Sequence, residues 1–386
     1  MTKTVEEELA RLWRGSAPSA GNNSREVAKY IATGRCPTRG LCLAAGVSTD
    51  RLLRGTRYEV PFGQSPFAIQ RGRKVEEVAR TNDAEAVRLR AEAEFGPFAR
   101  WRVLDVTLLY KKPNWGVGVQ ATKTALAQML TGAGEAPTLV FGAAFAYRLK
   151  RRLQHYEADA LLLTPAGVIH VVEIKSFPKV AGQLDGKTLG EALSQASIYV
   201  LALRETVAEL SGAATVVSDE VLIFTPENFR LRLTSTRKDV GRRARYTSEA
   251  LKLMPSISEY EAVMPKGFNF GAVADTEADA TERVKSLETI TRCVGTSFGP
   301  ECMGNCGLFR FCREQHYRAR KLAVLGPEVT NLLPGVESWD EVIEQSEGRL
   351  MSAAPHQQAV ADRLVRARRI VEEVHGPDAV ERRKIK

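Results

Sequence analysis

ADALLLTPAGVIHVVEIK, residues 158–175, is the stretch that decides the fold of this chain. Two apolar runs flank the segment Thr164–Gly167, whose sequence TPAG has the composition of a tight turn. The pattern therefore predicts a β-hairpin, and both strands are apolar enough to lie in the centre of a sheet.

Strand and helix patterns alternate on both sides of this hairpin. We predict strands at Trp101–Tyr110, Glu220–Phe224 and Phe229–Thr234, and helices at Gly72–Arg80, Asp83–Glu94, Thr122–Leu130, Leu189–Glu205 and Glu277–Arg292. Thr138–Arg152 is ambiguous between strand and helix by periodicity. Strands bracketed by helices predict an α/β protein with a mixed core and helical additions.

The composition is that of a globular protein. Of 386 residues, 44% are hydrophobic and 26% are charged, which excludes a wholly disordered or collagen-like chain. No apolar run reaches the about 18 residues that a membrane helix needs, and the first fifteen residues lack a signal core. We therefore expect a cytoplasmic protein without a membrane segment. The net charge of +9 favours polyanionic partners, nucleic acid first.

Two acidic side chains and one lysine are expected to meet at one end of the hairpin. Glu173 and Lys175 are two residues apart in a strand and point to the same side, while Ile174 points the other way. Antiparallel pairing places Asp159 alongside Glu173. Carboxylate oxygens are ligands that Mg²⁺ and Mn²⁺ prefer, and an ammonium group offsets phosphate charge. An isolated Glu-x-Lys is more often a surface pair, but this one ends a strongly apolar strand.

A second pair of polar side chains follows on the next helix. Gln195 and Tyr199 are four residues apart and share one helical face, from which they can hold a DNA backbone or order the site. The alternative is that Tyr199 packs in the core and Gln195 lies at its rim.

In order and spacing, Asp159, Glu173-x-Lys175 and Gln195-x-x-x-Tyr199 resemble the PD-(D/E)xK nuclease superfamily, specifically its RecB-like branch. The resemblance covers roughly residues 70–200. It implies a restriction-endonuclease-like mixed sheet flanked by helices. It also implies that these five residues are catalytic and that Asp159 and Glu173 bind the metal ion.

The same branch carries an upstream helix with Gly-x-x-x-Glu, which residues 72–76 match. By this resemblance Glu76 is a further metal ligand, and the backbone carbonyl of Ile174 completes the metal shell. Glu77 remains an alternative to Glu76, and a solvated helix face accounts equally well for either acid taken alone.

Four of the six cysteines, Cys293, Cys302, Cys306 and Cys312, crowd into one late segment. The cytosol keeps thiols reduced, so such a group indicates metal ligands rather than disulfides. Cys42 lies between two leucines and is interpreted as a small buried apolar residue.

A subset of RecB-like nucleases, including CRISPR-associated adaptation nucleases and AddB-type subunits, binds an iron–sulfur cluster through one cysteine ahead of the core and three behind it. Cys36 and the spacing Cys302-x3-Cys306-x5-Cys312 are similar to this arrangement. They imply a [4Fe–4S] cluster in a helical subdomain formed by both chain ends. Zinc also suits four thiolates, and Cys293 can replace Cys36 in a purely local site.

The resemblance implies a Mg²⁺- or Mn²⁺-dependent deoxyribonuclease that acts on single-stranded DNA or DNA ends, in defence against foreign DNA or in recombination and repair. The alternative is a non-catalytic subunit, stabilised by the iron–sulfur cluster, that binds nucleic acid within a larger complex. The chain has no Walker motif, so unwinding requires a helicase or another defence-complex protein as partner. Basic runs around residues 148–152, 237–245 and 313–321 are candidates for contacts with the DNA backbone.

We predict four segments along the chain. They are an amino-terminal helical segment with the first cluster cysteine (1–60), the nuclease core (61–290), the cysteine segment (291–325) and a helical carboxyl-terminal tail (326–386). The tail has charged, helical patterning that suits docking of a partner protein.

Overall fold

The structure is a computed structural model that describes most of the 386 residues. The residues left undescribed are 1–4, 21–23, 61–65, 112–113, 133–135, 150–151, 212–215, 229, 300, 321, 326, 350–354 and 377–386. The chain divides into two compact units. The first comprises Met1–Ile31, Gly40–Ser48 and Pro61–Ala272, and the second comprises Ala32–Arg39, Thr49–Val60 and Val273–Lys386.

The described residues form six β-strands and fifteen α-helices. The strands are β1 (Val103–Asp105), β2 (Leu139–Leu149), β3 (Arg152–Leu163), β4 (Ile169–Ile174), β5 (Glu220–Pro226) and β6 (Leu233–Asp239). The helices are α1 (Val5–Arg14), α2 (Ser24–Ala32), α3 (Pro37–Ala45), α4 (Pro66–Phe95), α5 (Trp115–Thr131), α6 (Gly186–Ser211), α7 (Gly241–Lys252), α8 (Ile257–Glu261), α9 (Gly271–Ala274), α10 (Ala280–Val294), α11 (Cys302–Asn305), α12 (Phe309–Ala319), α13 (Pro327–Leu332), α14 (Trp339–Ser346) and α15 (Pro355–His375). None of these helices is both long and apolar enough to cross a membrane.

The six strands form one mixed sheet in the order β1-β2-β3-β4-β5-β6. The pairs β1–β2 and β4–β5 are parallel, whereas the other neighbouring strands are antiparallel. Each parallel pair is joined by a long connection, which contains α5 in the first case and α6 in the second. The predicted mixed α/β fold with helices flanking the sheet is therefore confirmed.

Helices cover both faces of the sheet. Adjacent residues of β4 point to opposite faces, and they belong to two different hydrophobic clusters. Val171 packs in a cluster with Leu126 of α5 and Ile198 of α6, whereas Val172 packs in a cluster with Val87 of α4. The strands in between are buried on both sides, in agreement with their continuous apolar sequence.

The predicted hairpin is present as β3 and β4. Their pairing extends from Leu163–Ile169 to Ala160–Val172. In the connecting turn, the Thr164 N–H donates to the Val168 carbonyl at 2.9 Å, and Gly167 has a positive φ of 76°. The TPAG sequence supplies the residue that tolerates this backbone conformation.

The first predicted strand is much shorter than expected. Of Trp101–Tyr110, only β1 is extended, and a 3₁₀ turn follows at Val106–Leu108. The strand ends because the Asp105 side chain accepts hydrogen bonds from the Thr107 N–H at 3.0 Å and from the Thr107 hydroxyl at 2.6 Å. Such local side-chain bonding competes with the ladder, and the β-branched composition of the segment did not reveal it.

The last strand is shifted towards the carboxyl terminus. β6 begins at Leu233 rather than at Phe229, which lies outside the described residues. The Glu227 N–H donates to the Arg232 carbonyl at 2.8 Å, so the connecting loop is longer than the Pro-Glu-Asn turn expected from sequence. The ambiguous segment 138–152 contains β2 and the first residue of β3, with residues 150 and 151 outside the described part.

One glycine interrupts the pairing of β2 with β3. Phe141 pairs with Ala160 and Ala143 pairs with Ala158, so Gly142 lies across from Asp159 between these pairs. Gly142 has a positive φ of 60°, and a Cβ at this position would overlap the Cγ2 atom of Thr107. The irregularity in the ladder therefore lies directly beside a predicted catalytic residue.

The second unit joins early and late parts of the sequence. Arg283 of α10 is 2% exposed and donates hydrogen bonds to the carbonyls of Val273 and Leu52. The hydroxyl of Thr38 donates to the Gly295 carbonyl at 2.7 Å. Of the predicted tail 326–386, residues 326, 350–354 and 377–386 lie outside the described part.

Candidate functional site

The predicted site lies where β3 and β4 separate. Their backbone pairing ends at Ala160 and Val172, while β4 continues beside β5 as far as Ile174 and Phe224. Beyond the last pair, the Oδ2 atom of Asp159 accepts a hydrogen bond from the Ile174 N–H at 2.8 Å. The Asp159 carboxylate therefore accepts from a β4 backbone N–H just beyond the last β3–β4 pair, and this bond holds the side chain at the strand end.

Lys175 contacts both predicted carboxylates. Its Nζ atom lies 3.2 Å from Oδ2 of Asp159 and forms an ion pair with Oε2 of Glu173. Glu173 is completely buried, and its Oε1 atom has no hydrogen-bond partner. The structure thus brings Asp159, Glu173 and Lys175 together, as the strand periodicity predicted.

The buried charges shift one another's pKa values. Burial raises the pKa of Glu173 to about 8. Burial alone would lower the pKa of Lys175, but the carboxylates of Asp159 and Glu173 raise it overall above its usual value. Both acids therefore stabilise the protonated form of Lys175, which can donate to a ligand in this site.

Tyr199 and Gln195 lie on the same side of the sheet as this charge cluster. The Tyr199 hydroxyl accepts hydrogen bonds from Nε2 of Gln195 at 2.9 Å and from the Ser24 hydroxyl at 2.8 Å. Burial, followed by the charges of Glu173 and Asp159, raises the pKa of Tyr199, so its hydroxyl keeps its proton. Tyr199 is buried, in agreement with the packing interpretation, and the charges of Glu173 and Asp159 reach its hydroxyl. Its role in the site remains a prediction.

Ser24 was not predicted to contribute to the site. It is the first residue of α2, and its contact with Tyr199 spans 175 positions. No local pattern signals a contact of this kind.

The structure distinguishes the two acids on α4. Burial, followed by the charge of Asp159, raises the pKa of Glu76, although the residue as a whole is exposed. Glu77 is also exposed and forms a surface pair with Lys74 at 3.1 Å. Glu76 is therefore the acid of the two that interacts with the strand carboxylates.

Glu157 is a further acid that sequence reasoning missed. It precedes Asp159 by two residues in β3, its charge contributes to the raised pKa of Glu76, and its Oε2 atom accepts a hydrogen bond from the Tyr110 hydroxyl at 2.6 Å. Its spacing of two from Asp159 is the signal that could have identified it.

The side chain of Ile174 contributes packing rather than chemistry. It is 7% exposed and belongs to the cluster that includes α4. Its N–H positions Asp159, as described above. Its predicted role as a carbonyl ligand remains a prediction.

Four predicted cluster ligands line one cavity in the second unit. Cys36, Cys302, Cys306 and Cys312 are all free thiols and buried, and Cys293 is not among the lining residues. The Sγ atom of Cys36 accepts a hydrogen bond from the Ser297 N–H at 3.5 Å. Burial, with a smaller contribution from Cys306 and Cys36, raises the pKa of the Cys302 thiol to about 11.

A buried arginine shares this cavity. Arg39 is 2% exposed, lines the cavity and donates a hydrogen bond to the Thr49 hydroxyl at 2.7 Å. A guanidinium group stays charged in proteins, so a permanent positive charge lies in the wall of the cysteine cavity. Cys42 is 1% exposed, in agreement with its interpretation as an apolar core residue.

Within the described part of the chain, no group of three or more His, Cys, Asp or Glu side chains is arranged so that it could hold a metal ion as it stands. The predicted iron–sulfur subdomain is therefore not confirmed. The donor chemistry nevertheless suits the expected groups. Glu173 presents a buried oxygen without a hydrogen-bond partner, and four thiols share one cavity.

The basic runs are only partly described. Arg148 on β2, Arg237 and Lys238 on β6 and Arg313 on α12 are exposed. Arg237 is paired with Glu220. The remaining exposed members are Arg242, Arg243, Arg245, Arg318 and Arg320, whereas Lys150, Arg151 and Lys321 lie outside the described residues.

No family model, curated protein or solved structure matches this chain.

Proposed function

We propose that the chain is a Mg²⁺- or Mn²⁺-dependent deoxyribonuclease of the RecB-like branch of the PD-(D/E)xK superfamily. The observation that carries the proposal is the contact of Lys175 with both Asp159 and Glu173 at the point where two central strands separate. These are the residues that the branch uses, and they meet within the hairpin predicted to hold them.

Asp159 and Glu173, together with Glu76, are the residues that would hold the metal ion. When bound, such an ion polarises a phosphodiester and lowers the pKa of a water molecule. Lys175 keeps its proton because the two carboxylates raise its pKa, so it offers a charged donor to a phosphate oxygen. Tyr199 keeps its proton as well and serves as a neutral donor beside that charge.

The test compares cleavage of an end-labelled single-stranded oligonucleotide in Mn²⁺ by wild type and by Asp159→Asn. The asparagine keeps an acceptor oxygen for the Ile174 N–H but removes the negative charge. We expect cleavage to fall by about a hundredfold or more while the variant stays folded at the assay temperature, which its melting curve verifies. Glu77→Gln is the control, because Glu77 is an exposed acid whose ion pair is with Lys74. Wild-type protein that binds DNA but does not cleave it in Mn²⁺ would support the non-catalytic binding subunit instead.

The resemblance supports single-stranded DNA or DNA ends as substrate, and defence or recombination and repair as the setting. The exposed arginines on α7, Arg242 and Arg245, suit contacts with a phosphate backbone. A helicase or another defence-complex protein would supply the unwinding that this chain lacks the motif to perform.

We also propose that the four cavity cysteines, Cys36, Cys302, Cys306 and Cys312, bind a [4Fe–4S] cluster, with zinc as the alternative. Anaerobically purified wild type is expected to contain iron and sulfide and to absorb broadly in the visible range. Cys306→Ala is expected to lose both, whereas the control Cys293→Ser retains them because Cys293 does not line the cavity. A colourless wild-type protein that contains zinc would contradict the cluster assignment.

A further inference from the structure

The segment Asp105–Tyr110, which we call the leucine loop, is fixed beside the candidate active site at three points. Asp105 forms an ion pair with Arg80 of α4. Thr107 packs so closely on residue 142 that a side chain there would overlap it. The hydroxyl of Tyr110 donates to Oε2 of Glu157 at 2.6 Å.

Two of these three contacts are made with residues that neighbour Asp159 in the sheet. Gly142 lies across from Asp159 in the β2–β3 pair, and Glu157 precedes Asp159 by two residues in the same strand. The leucine loop therefore borders the strand that carries the first catalytic carboxylate.

Between the points of attachment, the loop presents two adjacent leucines to solvent. Leu108 is 82% exposed and Leu109 is 52% exposed, whereas Val106 and Tyr110 on either side are buried. A loop that is anchored by its polar and buried residues, but exposes two large apolar side chains beside a charged site, indicates a surface that contacts a partner.

We propose that Leu108 and Leu109 form a wedge that packs against unpaired bases of the nucleic acid strand entering the site. This inference rests on the proposed nuclease function and names the part of the substrate that the site recognises. Apolar wedges, leucine among them, insert between base steps and keep them unstacked in proteins that deform nucleic acids.

Charge complementarity favours nucleic acid over a protein partner. Lys111 follows the loop and is exposed, and Arg73 is exposed on α4 one helical turn before Glu76. An exposed cation directly after the loop and another on the helix that carries Glu76 suit a ligand that carries phosphates on one side and apolar base faces on the other. A single strand presents both, whereas a base-paired duplex exposes base faces only at its ends.

The inference is tested with the full chain in Ca²⁺, which occupies oxygen sites and allows binding to be measured without turnover. Binding is followed by fluorescence anisotropy of a labelled single-stranded oligonucleotide. Fraying is followed by 2-aminopurine fluorescence at the end of a blunt duplex. The double variant Leu108→Ser/Leu109→Ser is compared with Leu253→Ser, a control at a leucine of the same unit that is 69% exposed.

We expect the double variant to bind the single strand about tenfold more weakly and to lose the rise in 2-aminopurine fluorescence, while the control behaves like wild type. Unchanged single-strand affinity and unchanged fluorescence in the double variant would overturn the wedge. The leucines are exposed, so we expect the double variant to melt at the same temperature as wild type. Equal melting temperatures then exclude misfolding as the cause of weaker binding.

The two proposals fail in different ways. If wild type cleaves in Mn²⁺ and the double variant binds like wild type, the nuclease proposal stands and the wedge is wrong. If the leucines prove necessary for binding but wild type does not cleave in Mn²⁺, the wedge stands and the catalytic proposal is wrong.

Discussion

Ser24 and Tyr199, 175 positions apart in sequence, are joined by a hydrogen bond of 2.8 Å between their hydroxyls in the interior of the first unit. Nε2 of Gln195 donates to the same Tyr199 oxygen at 2.9 Å. With two donors directed at this oxygen, the Tyr199 proton points away from both of them. The first turn of α2 thereby sets the direction in which a buried hydroxyl can donate.

Ser24→Ala is expected to lower the free energy of unfolding by about 1 kcal/mol, because a buried hydrogen bond is lost while Gln195 still supports Tyr199. Cleavage in Mn²⁺ should fall several-fold, and less than in Tyr199→Phe, which removes the donor itself. Urea denaturation and the oligonucleotide assay measure the two effects. Equal activity in Ser24→Ala and wild type would show that the orientation of this hydroxyl does not matter.

Lys175→Met is expected to abolish cleavage and to change the response to metal. The substitution leaves Asp159 and Glu173 without their shared counter-charge, which we expect to cost about 3 kcal/mol in the metal-free protein. Mn²⁺ should then raise the melting temperature more in the variant than in wild type, because the ion supplies the missing positive charge. Thermal melts with and without Mn²⁺ measure this. An equal shift in both proteins would contradict a metal site formed by these two carboxylates.

Glu76→Gln and Glu77→Gln form a matched pair on one helix. Because the charge of Asp159 contributes to the raised pKa of Glu76, Glu76→Gln should weaken Mn²⁺ binding and reduce cleavage at limiting Mn²⁺ by about tenfold. Glu77→Gln loses only a surface pair with Lys74, worth at most about 1 kcal/mol, and should behave like wild type. Titration of cleavage rate against Mn²⁺ concentration separates them. The reverse ranking would assign the ligand to Glu77.

The strand residues of the site could be predicted because their geometry follows from local rules. A period of two places Glu173 and Lys175 on one side, and an antiparallel hairpin places Asp159 beside them. The position of the turn at Thr164–Gly167 fixed the register of β3 against β4. Recognising this one turn was therefore sufficient to predict that the three side chains meet.

The parts that sequence did not predict depend on contacts between distant or competing groups. The Ser24–Tyr199 bond has no local signature. The early end of β1 depends on the Asp105 side chain competing with the ladder, which the composition of the strand concealed. Cys36 was grouped with the later cysteines by resemblance and not by spacing, and Cys293 was kept as the alternative fourth ligand.

Gly142→Ala is expected to destabilise the first unit by about 2 kcal/mol or more. The residue has a positive φ of 60°, and its new Cβ would overlap Thr107. Because Gly142 lies across from Asp159, cleavage should fall together with stability. Gly190→Ala in α6 is the control, since its Cβ would meet no atom within 4 Å, and it should be neutral or stabilising by about 0.5 kcal/mol. Chemical denaturation of both variants gives the comparison. Similar stability in both would refute a steric need for glycine at position 142.

His170 makes stability depend on pH. Its ring is 4% exposed, and its Nδ1–H donates to the Glu220 carbonyl at 2.9 Å. Burial lowers the pKa of His170 in the folded chain, so the unfolded chain binds a proton more readily. Stability is therefore fully present above the unfolded pKa of about 6.5 and declines as the pH falls below that value.

His170→Asn keeps a donor for the Glu220 carbonyl but cannot be protonated. Its free energy of unfolding should change less between about pH 7.5 and about pH 5.5 than that of wild type, where a difference of one pKa unit corresponds to about 1.4 kcal/mol. Urea denaturation at both pH values measures the change. The pH dependence of the free energy of unfolding should be reduced and not abolished, because burial also lowers the pKa of His155 and of His316. His375→Asn, at an exposed histidine, should leave the dependence as in wild type, and an equally steep decline in His170→Asn would rule out His170 as a source of it.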